Sequence, residues 1–151
     1  LCFLALKGKV KLRNYSSQRI INAEDFFLGP LLNSKKDNEI VASVIFPKAT
    51  KNTGYAFKEI SEKYGDFAMA SFAAIAKENH VRFVVGGVCD KLSAIEWDTN
   101  NLKEINKSLN DFAWDLNTKS DHYTSARYKR EIVRNLGLKT IELAIDRMDM
   151  N

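Results

Sequence analysis

The chain has 151 residues, 45% of them hydrophobic and 28% charged, with a net charge of +4, two cysteines and two histidines. That length buries a core without disulfide or metal staples, and the composition fits one globular domain or a small domain with an appendage. Neither cysteine has a Cys or His neighbour at ligand spacing, which excludes a zinc, haem or iron–sulfur site, and no apolar run is long enough to span a bilayer.

The chain opens on LCFLAL, in mid-pattern and without Met, as a short helix or the end of one. It is too short for a signal peptide and lacks a cleavage pattern. Val10–Arg13 and Gln18–Ile21 alternate on either side of Asn14–Ser17, the pattern of a hairpin. Asn22–Phe27 reads as a helical turn stopped by Gly29-Pro30. After the charged loop Asn33–Asn38, Glu39–Phe46 is the clearest strand in the sequence, ended by Pro47 because proline cannot donate to a ladder.

The polar stretch Lys48–Thr53 is the expected boundary between two units, and Tyr55–Ile60 follows as a strand. Gly65-Asp66 then marks an abrupt border between KEISEKY and a run of small apolar residues. Gly takes positive φ without cost and Asp bonds its own backbone, so a tight turn is expected there. Phe67–Lys77 is rich in alanine, which favours helix, but it precedes a short turn at Glu78–His80 and the β-branched run Val81–Val85. Both arms are taken as strands of one hairpin, followed by a bend at Gly86-Gly87.

From Asn100 the period changes. Leu102, Ile105, Leu109, Phe112, Ala113 and Leu116 recur at helical spacing. Ser120 or Asp121 can cap a second helix, whose apolar stripe runs through Tyr128, Ile132, Val133, Leu136, Ile141 and Ile145. Gly137 inside it costs about 1 kcal/mol against Ala, which points to close packing. Strands followed by helices predict an α+β layer: a small antiparallel sheet of about three strands with helices on one face.

FFLGPLLNSKKDNEIVASVIFP, YAFKEISEKYGDFAMA, VGGVCDKLSAIE and SARYKREIVRNLGLKTI occur in that order. The series resembles the C-terminal half of the FAD-binding medium subunit of the molybdenum hydroxylases, the carbon monoxide dehydrogenase and xanthine dehydrogenase family. The resemblance implies that residues 1–46 are the tail of an FAD-binding domain and 47–151 a C-terminal domain. It also implies that the N-terminal half with its glycine-rich loops is missing, whether deleted, proteolysed or encoded separately. No stretch here offers the successive glycine-uncovered backbone N–H groups that cradle a diphosphate.

Cofactor-binding residues follow from the same resemblance. Lys58 matches the lysine that reaches the flavin, where a cation near the ring tunes its potential; a solvated strand-end lysine is the alternative. Val41 matches an apolar residue packed on the ring, a role compatible with that of a sheet-core valine. Gly65 and Asp66 match the turn near the flavin, where Asp66 either caps the turn or contributes charge. Tyr64 stands where the family often has Arg or His, as a stacking residue or an exposed loop tyrosine. Gly86-Gly87 with Asp90-Lys91 resembles a family turn, and Arg127, Lys129, Arg130 and Arg134 form either a docking cluster or a solvated helix face.

The implied role is electron transfer in a cytoplasmic, heteromeric oxidoreductase. A partner large subunit carries the molybdenum cofactor, a partner small subunit carries iron–sulfur clusters, and FAD passes electrons to an acceptor. No catalytic or metal-binding residue is assigned to this chain. One alternative is an interaction module that keeps the fold and has lost flavin binding. A nucleic-acid-binding domain rests only on the pI of about 9.0, and the spread of the charges weighs against it.

Overall fold

The computed structural model describes residues 1–63, 65–122 and 124–148. Two antiparallel sheets and a small hairpin carry the strands. The chain opens with the helical turn α1 (Cys2–Ala5), then the strands β1 (Lys9–Arg13) and β2 (Gln18–Asn22) and the helical turn α2 (Ala23–Phe26). β3 (Phe27–Gly29) and β4 (Leu32–Asn33) form the small hairpin, and β5 (Ile40–Ile45) returns beside β1, giving a sheet of order β2-β1-β5.

The second sheet has the order β6-β7-β8-β9, from β6 (Gly54–Ile60), β7 (Ala70–Lys77), β8 (His80–Gly86) and β9 (Ser93–Trp97). The helices α3 (Leu102–Asp115) and α4 (Ala126–Asp146) close the chain. The expected antiparallel sheet with helices on one face is present, with one strand more than the sequence pattern gave. That strand, β9, alternates Ile95 and Trp97 toward the helices with Glu96 on the other side, paired across from Phe83, Val81 and Arg82 respectively. Its small Ser and Ala and its charged Glu weaken the apolar signal of a strand.

The alanine-rich segment is a strand because both of its faces are covered. Ala70, Phe72, Ala74 and Ala76 belong to the core beneath α3 and α4, while Ala73 packs with Leu4 and Ala5 of α1 on the opposite face. Helix propensity would favour this run as helix, but burial between two layers decides the matter, and small side chains let both layers approach. Phe72 and Phe83, on adjacent strands, stack at 6.0 Å between centroids.

Glycines mark the closest approaches. A Cβ on Gly54 would lie 1.7 Å from the Ala144 carbonyl oxygen, so β6 meets the end of α4 backbone to backbone. Gly137 gives room to the Phe83 ring, whose nearest carbon would be 2.9 Å away. The caps are local. Ser125 Oγ accepts from the Tyr128 N–H at 3.1 Å, Ser120 Oγ from the first helical N–H of Ala126 at 3.0 Å, and Asp121 Oδ1 from the Thr124 N–H at 2.8 Å. The N-cap is therefore Ser125, with Ser120 supporting it.

The opposite face of the large sheet is closed by the first residues of the chain through a buried arginine. Arg82, in the middle of β8, bonds Glu24 of α2 and Glu96 of β9. It also donates to the carbonyls of Ala5 at 3.1 Å and Leu4 at 3.3 Å.

Gly54→Ala is expected to cost about 3 kcal/mol, since backbone must move, or roughly 6–12 °C in melting temperature at this chain length. Gly137→Ala is expected to be near neutral, because a ring end can shift and helix propensity returns about 1 kcal/mol. Thermal unfolding of the two variants beside the parent checks the contrast.

Candidate functional site

The strand-and-turn unit that carries Lys58, Gly65 and Asp66 is built by local rules. β6 pairs along its whole length with β7, setting Lys58 opposite Phe72. Alternation puts Lys58 on the same side as Ala56 and Ile60, the side that faces α4, and it is partly exposed. Among the described residues it has no ion-pair partner. The loop after β6 is closed at its neck by Met69 N–H to Ile60 O at 2.8 Å, and its tip is a turn in which Asp66 N–H meets Lys63 O at 3.1 Å. Gly65 has φ +84° with open space around it, as the third position of such a turn requires. Asp66 Oδ1 accepts from the Phe67 N–H at 2.9 Å, and the Phe67 ring is 97% exposed. Tyr64 lies outside the described residues.

A second loop presses against this one. Gly87 has φ +82°, and a Cβ there would meet the carbonyl oxygens of Met69 and Ala68 at 2.8 and 2.9 Å. Gly86-Gly87 thus ends the strand and lets the two loops touch. Beside them a cleft of about 300 Å³ is lined by Asp66, Phe67, Met69 and Asp121, and it shares Gly87 and Lys129 with a cleft of about 400 Å³ that reaches Phe27 and Pro30.

Lys129 is 7% exposed and far from solvated: its ammonium sits 2.7 Å from Asp121 and donates to Lys119 O at 3.0 Å. Arg130 donates to Leu116 O at 3.1 Å with its guanidinium 5.6 Å from the Trp114 ring, and Arg134 pairs with Glu131. Lys129 and Arg130 thus knit α4 to the segment that precedes it, while Arg134 pairs within the helix.

Val41 lies in the other sheet, on β5, which among the described residues pairs with β1 alone. It is 46% exposed, so it is not the sheet-core valine of an interior strand. Gly65 and Asp66 are thus adjacent to one another and follow Lys58 on one strand–loop unit, while Val41 is carried by a separate sheet. The start of β5 is pinned by Glu39, which is buried and accepts from Arg19 Nε and Nη2 at 2.8 Å and from the Lys36 N–H at 2.8 Å. The bidentate Arg19 bond, joined by the Lys36 N–H, holds the Glu39 carboxyl at about 2, below its ordinary 4.5. The Arg19 pKa is raised in turn.

Sequence reasoning missed Arg82. Its only signal is a cation inside the apolar run VRFVV, where period-2 alternation puts it on the side of the sheet opposite Phe83. Around it, burial pushes the Glu96 carboxyl up, but the Lys7 hydrogen bond and the Arg82 charge outweigh that, so the net shift is downward. His80 stands beside the same carboxylate at 3.3 Å and beside Asp98 at 3.0 Å. No group of His, Cys, Asp and Glu among the described residues could hold a metal, and no helix among them is long and apolar enough to cross a membrane.

No family model matches the sequence. The nicotine 6-hydroxylase medium subunit of Paenarthrobacter nicotinovorans is 29% identical over 153 residues, covering 93% of this chain and 53% of that protein. The glyceraldehyde dehydrogenase medium chain of Sulfolobus acidocaldarius is 31% identical over 155 residues, covering 91% and 53%. This chain is a relative of the medium subunits of the molybdenum hydroxylases. Its fold agrees: CO dehydrogenase from Oligotropha carboxidovorans superposes with a TM-score of 0.84 at 18% identity, over 96% of this chain and 55% of that one. Quinoline 2-oxidoreductase from Pseudomonas putida 86 does so at 0.83 and 16%, over 97% and 55%. The chain spans about half the length of the curated relatives it matches most fully.

A diphosphate cradle needs backbone N–H groups left open by glycines. Four of the glycines are filled by the chain's own atoms: Gly8 by Phe3, Gly54 by Ala144, Gly87 by Met69, Gly137 by Phe83. Gly65 alone stands open at a positive φ, next to an exposed aromatic.

As pH falls from about 4.5 through about 2, the parent is expected to lose the stability that ionised Glu39 contributes, because the folded pKa lies below the unfolded one. Glu39→Gln should lack that segment of the acid limb while remaining less stable near neutrality. Chemical denaturation at stepped pH reads it, and parallel acid limbs would contradict the assignment.

Proposed function

We propose that this chain is part of the FAD-binding, electron-transfer subunit of a molybdenum hydroxylase, with residues 1–46 the end of the flavin domain and 47–151 the C-terminal domain. The reading is supported above all by the match to medium subunits across more than nine-tenths of the chain. Bound FAD would accept electrons from iron–sulfur clusters of a small subunit and deliver them to an external acceptor, while the large subunit with the molybdenum cofactor carries out the hydroxylation.

This chain's own part is confined to the ring end of the cofactor. Lys58 supplies a cation on a rigid strand, where it favours negative charge added to the ring. Val41 supplies an exposed apolar surface. The Gly65-Asp66 turn closes over the edge and limits access of water. The diphosphate is held by glycine-rich loops outside these 151 residues, and the assembly works in the cytoplasm.

The isolated chain is accordingly expected to bind FAD no tighter than high micromolar at ordinary salt, checked by equilibrium dialysis. In the full flavin subunit, Lys58→Met is expected to lower the midpoint potential of bound flavin by about 20 mV. That follows from about 1 kcal/mol for a partly screened charge, at ~30 mV per 1.4 kcal/mol for a two-electron couple. Redox titration at matched occupancy measures it, and an unchanged potential would return Lys58 to the solvated surface.

A further inference from the structure

We propose that Arg82 is a positioning residue: it locks the first residues of the chain onto the sheet and so fixes where the strand carrying Val41 sits relative to the strand carrying Lys58. The functional meaning of that distance rests on the flavin reading above; the lock itself does not.

Residues Leu4 and Ala5 of α1 and Ala23 of α2 pack with Ala73 and Val84 on the face of the large sheet away from α3 and α4. Those contacts are apolar and non-directional, so on their own they resist separation better than sliding. The guanidinium adds direction. It is a rigid planar fork, and its partners come from three elements at once: the last carbonyls of α1, the Glu24 carboxylate of α2 and the Glu96 carboxylate of β9. The Leu4 and Ala5 carbonyls lie in the last turn of α1; Leu4 O also accepts from the Lys7 N–H at 3.0 Å, so the guanidinium adds a second donor there.

Behind this lock the small sheet is coupled in turn. Ala23 N–H bonds Gly8 O at 2.8 Å, joining α2 to the start of β1, and β1 pairs with β5. The Phe3 ring meets Phe46, the residue after β5, edge-on at 5.0 Å. β8 is joined to β6 through β7 by continuous antiparallel pairing. A continuous path of hydrogen bonds and packing therefore runs from Val41 to Lys58, and Arg82 is its one many-partnered polar joint.

The test is a distance, read without any flavin. With Cys2 and Cys89 replaced by Ser, spin labels at Ser43→Cys on β5 and Glu59→Cys on β6 report the separation of the two strands in the full chain. The parent is expected to give one narrow distance distribution. Arg82→Met should at least double its width, and Arg82→Lys, which keeps the charge without the fork, should also broaden it. Because Arg82→Met can unfold the chain, Glu24→Gln serves as the second variant: half-exposed, it removes one partner and should broaden the distribution to a lesser degree. Hydrogen exchange then distinguishes lock from general core. Amides of α1 and α2 should exchange at least tenfold faster in Glu24→Gln while those of α3 and α4 stay unchanged. An unchanged distribution in Glu24→Gln and Arg82→Lys, or loss of protection in α3 and α4 together with α1, would overturn the proposal. Failure of the chain's full-length protein to bind flavin would overturn the functional reading alone.

Discussion

A buried guanidinium is the joint with the most partners between the first residues of the chain and the large sheet among the described residues. Without Arg82 the large sheet would have a covered face under α3 and α4 and a second face held by short apolar contacts from α1 and α2 and by the exposed Lys7–Glu96 pair. Burying a cation costs several kcal/mol, and that cost is offset only when its partners are charged and well aligned. Here two carboxylates and two backbone carbonyls supply the compensation. Removing one partner of such a buried set typically costs about 3–5 kcal/mol. The lower part of that range suits Arg82, because Glu24 is 53% exposed and water can still reach it. The contribution is therefore less to total stability than to geometry, since apolar layers accept small slides and a forked hydrogen-bond set does not.

The rest of the packing is arranged so that this geometry carries through. β7 is alanine-rich because layers press on it from both sides, with Phe72 and Ile75 as its large side chains on the two faces. Gly54 and Gly137 do the same work at single points, one admitting helix backbone and the other an aromatic ring. Gly87 brings the loop after β8 against Ala68 and Met69, the return arm of the loop after β6. Small residues thus set distances and the arginine sets orientation.

Much of this was legible in the sequence, and the gaps have physical causes. The β1–β2 hairpin, the two closing helices and the strands β5, β6 and β8 follow from period-2 and period-3.6 patterns. Phe67–Lys77 was ambiguous because propensity and environment pull alanine in opposite directions. β9 escaped because SAIEW carries one face for the core and one for a salt bridge, leaving too few apolar residues to register. α1 as a cover for the second face escaped because four residues show no periodicity. Lys58, Gly65 and Asp66 were placed on one strand–turn unit by local signals alone. The relation of Val41 to them could not be read, because it depends on contacts between residues 82 and 24 that lie far apart in the chain.

The basic composition also takes on a different meaning once partners are assigned. A net charge of +4 suggests an electrostatic surface for nucleic acid, yet several of the cations, the buried Arg82 and Lys129 among them, are committed within the fold. Lys7 and Arg82 meet Glu96, Arg19 meets Glu39, Lys129 meets Asp121 and Arg134 meets Glu131. Cations tied to carboxylates release few counterions on meeting a phosphate backbone, which is the source of most non-specific affinity for nucleic acid. Lys58 differs from these. It is held on a paired strand, is partly withdrawn from water, and has no carboxylate partner among the described residues. A cation in that setting gains most from a neighbour that becomes more negative during function, since attraction at an effective dielectric near 20 is several times that in bulk water.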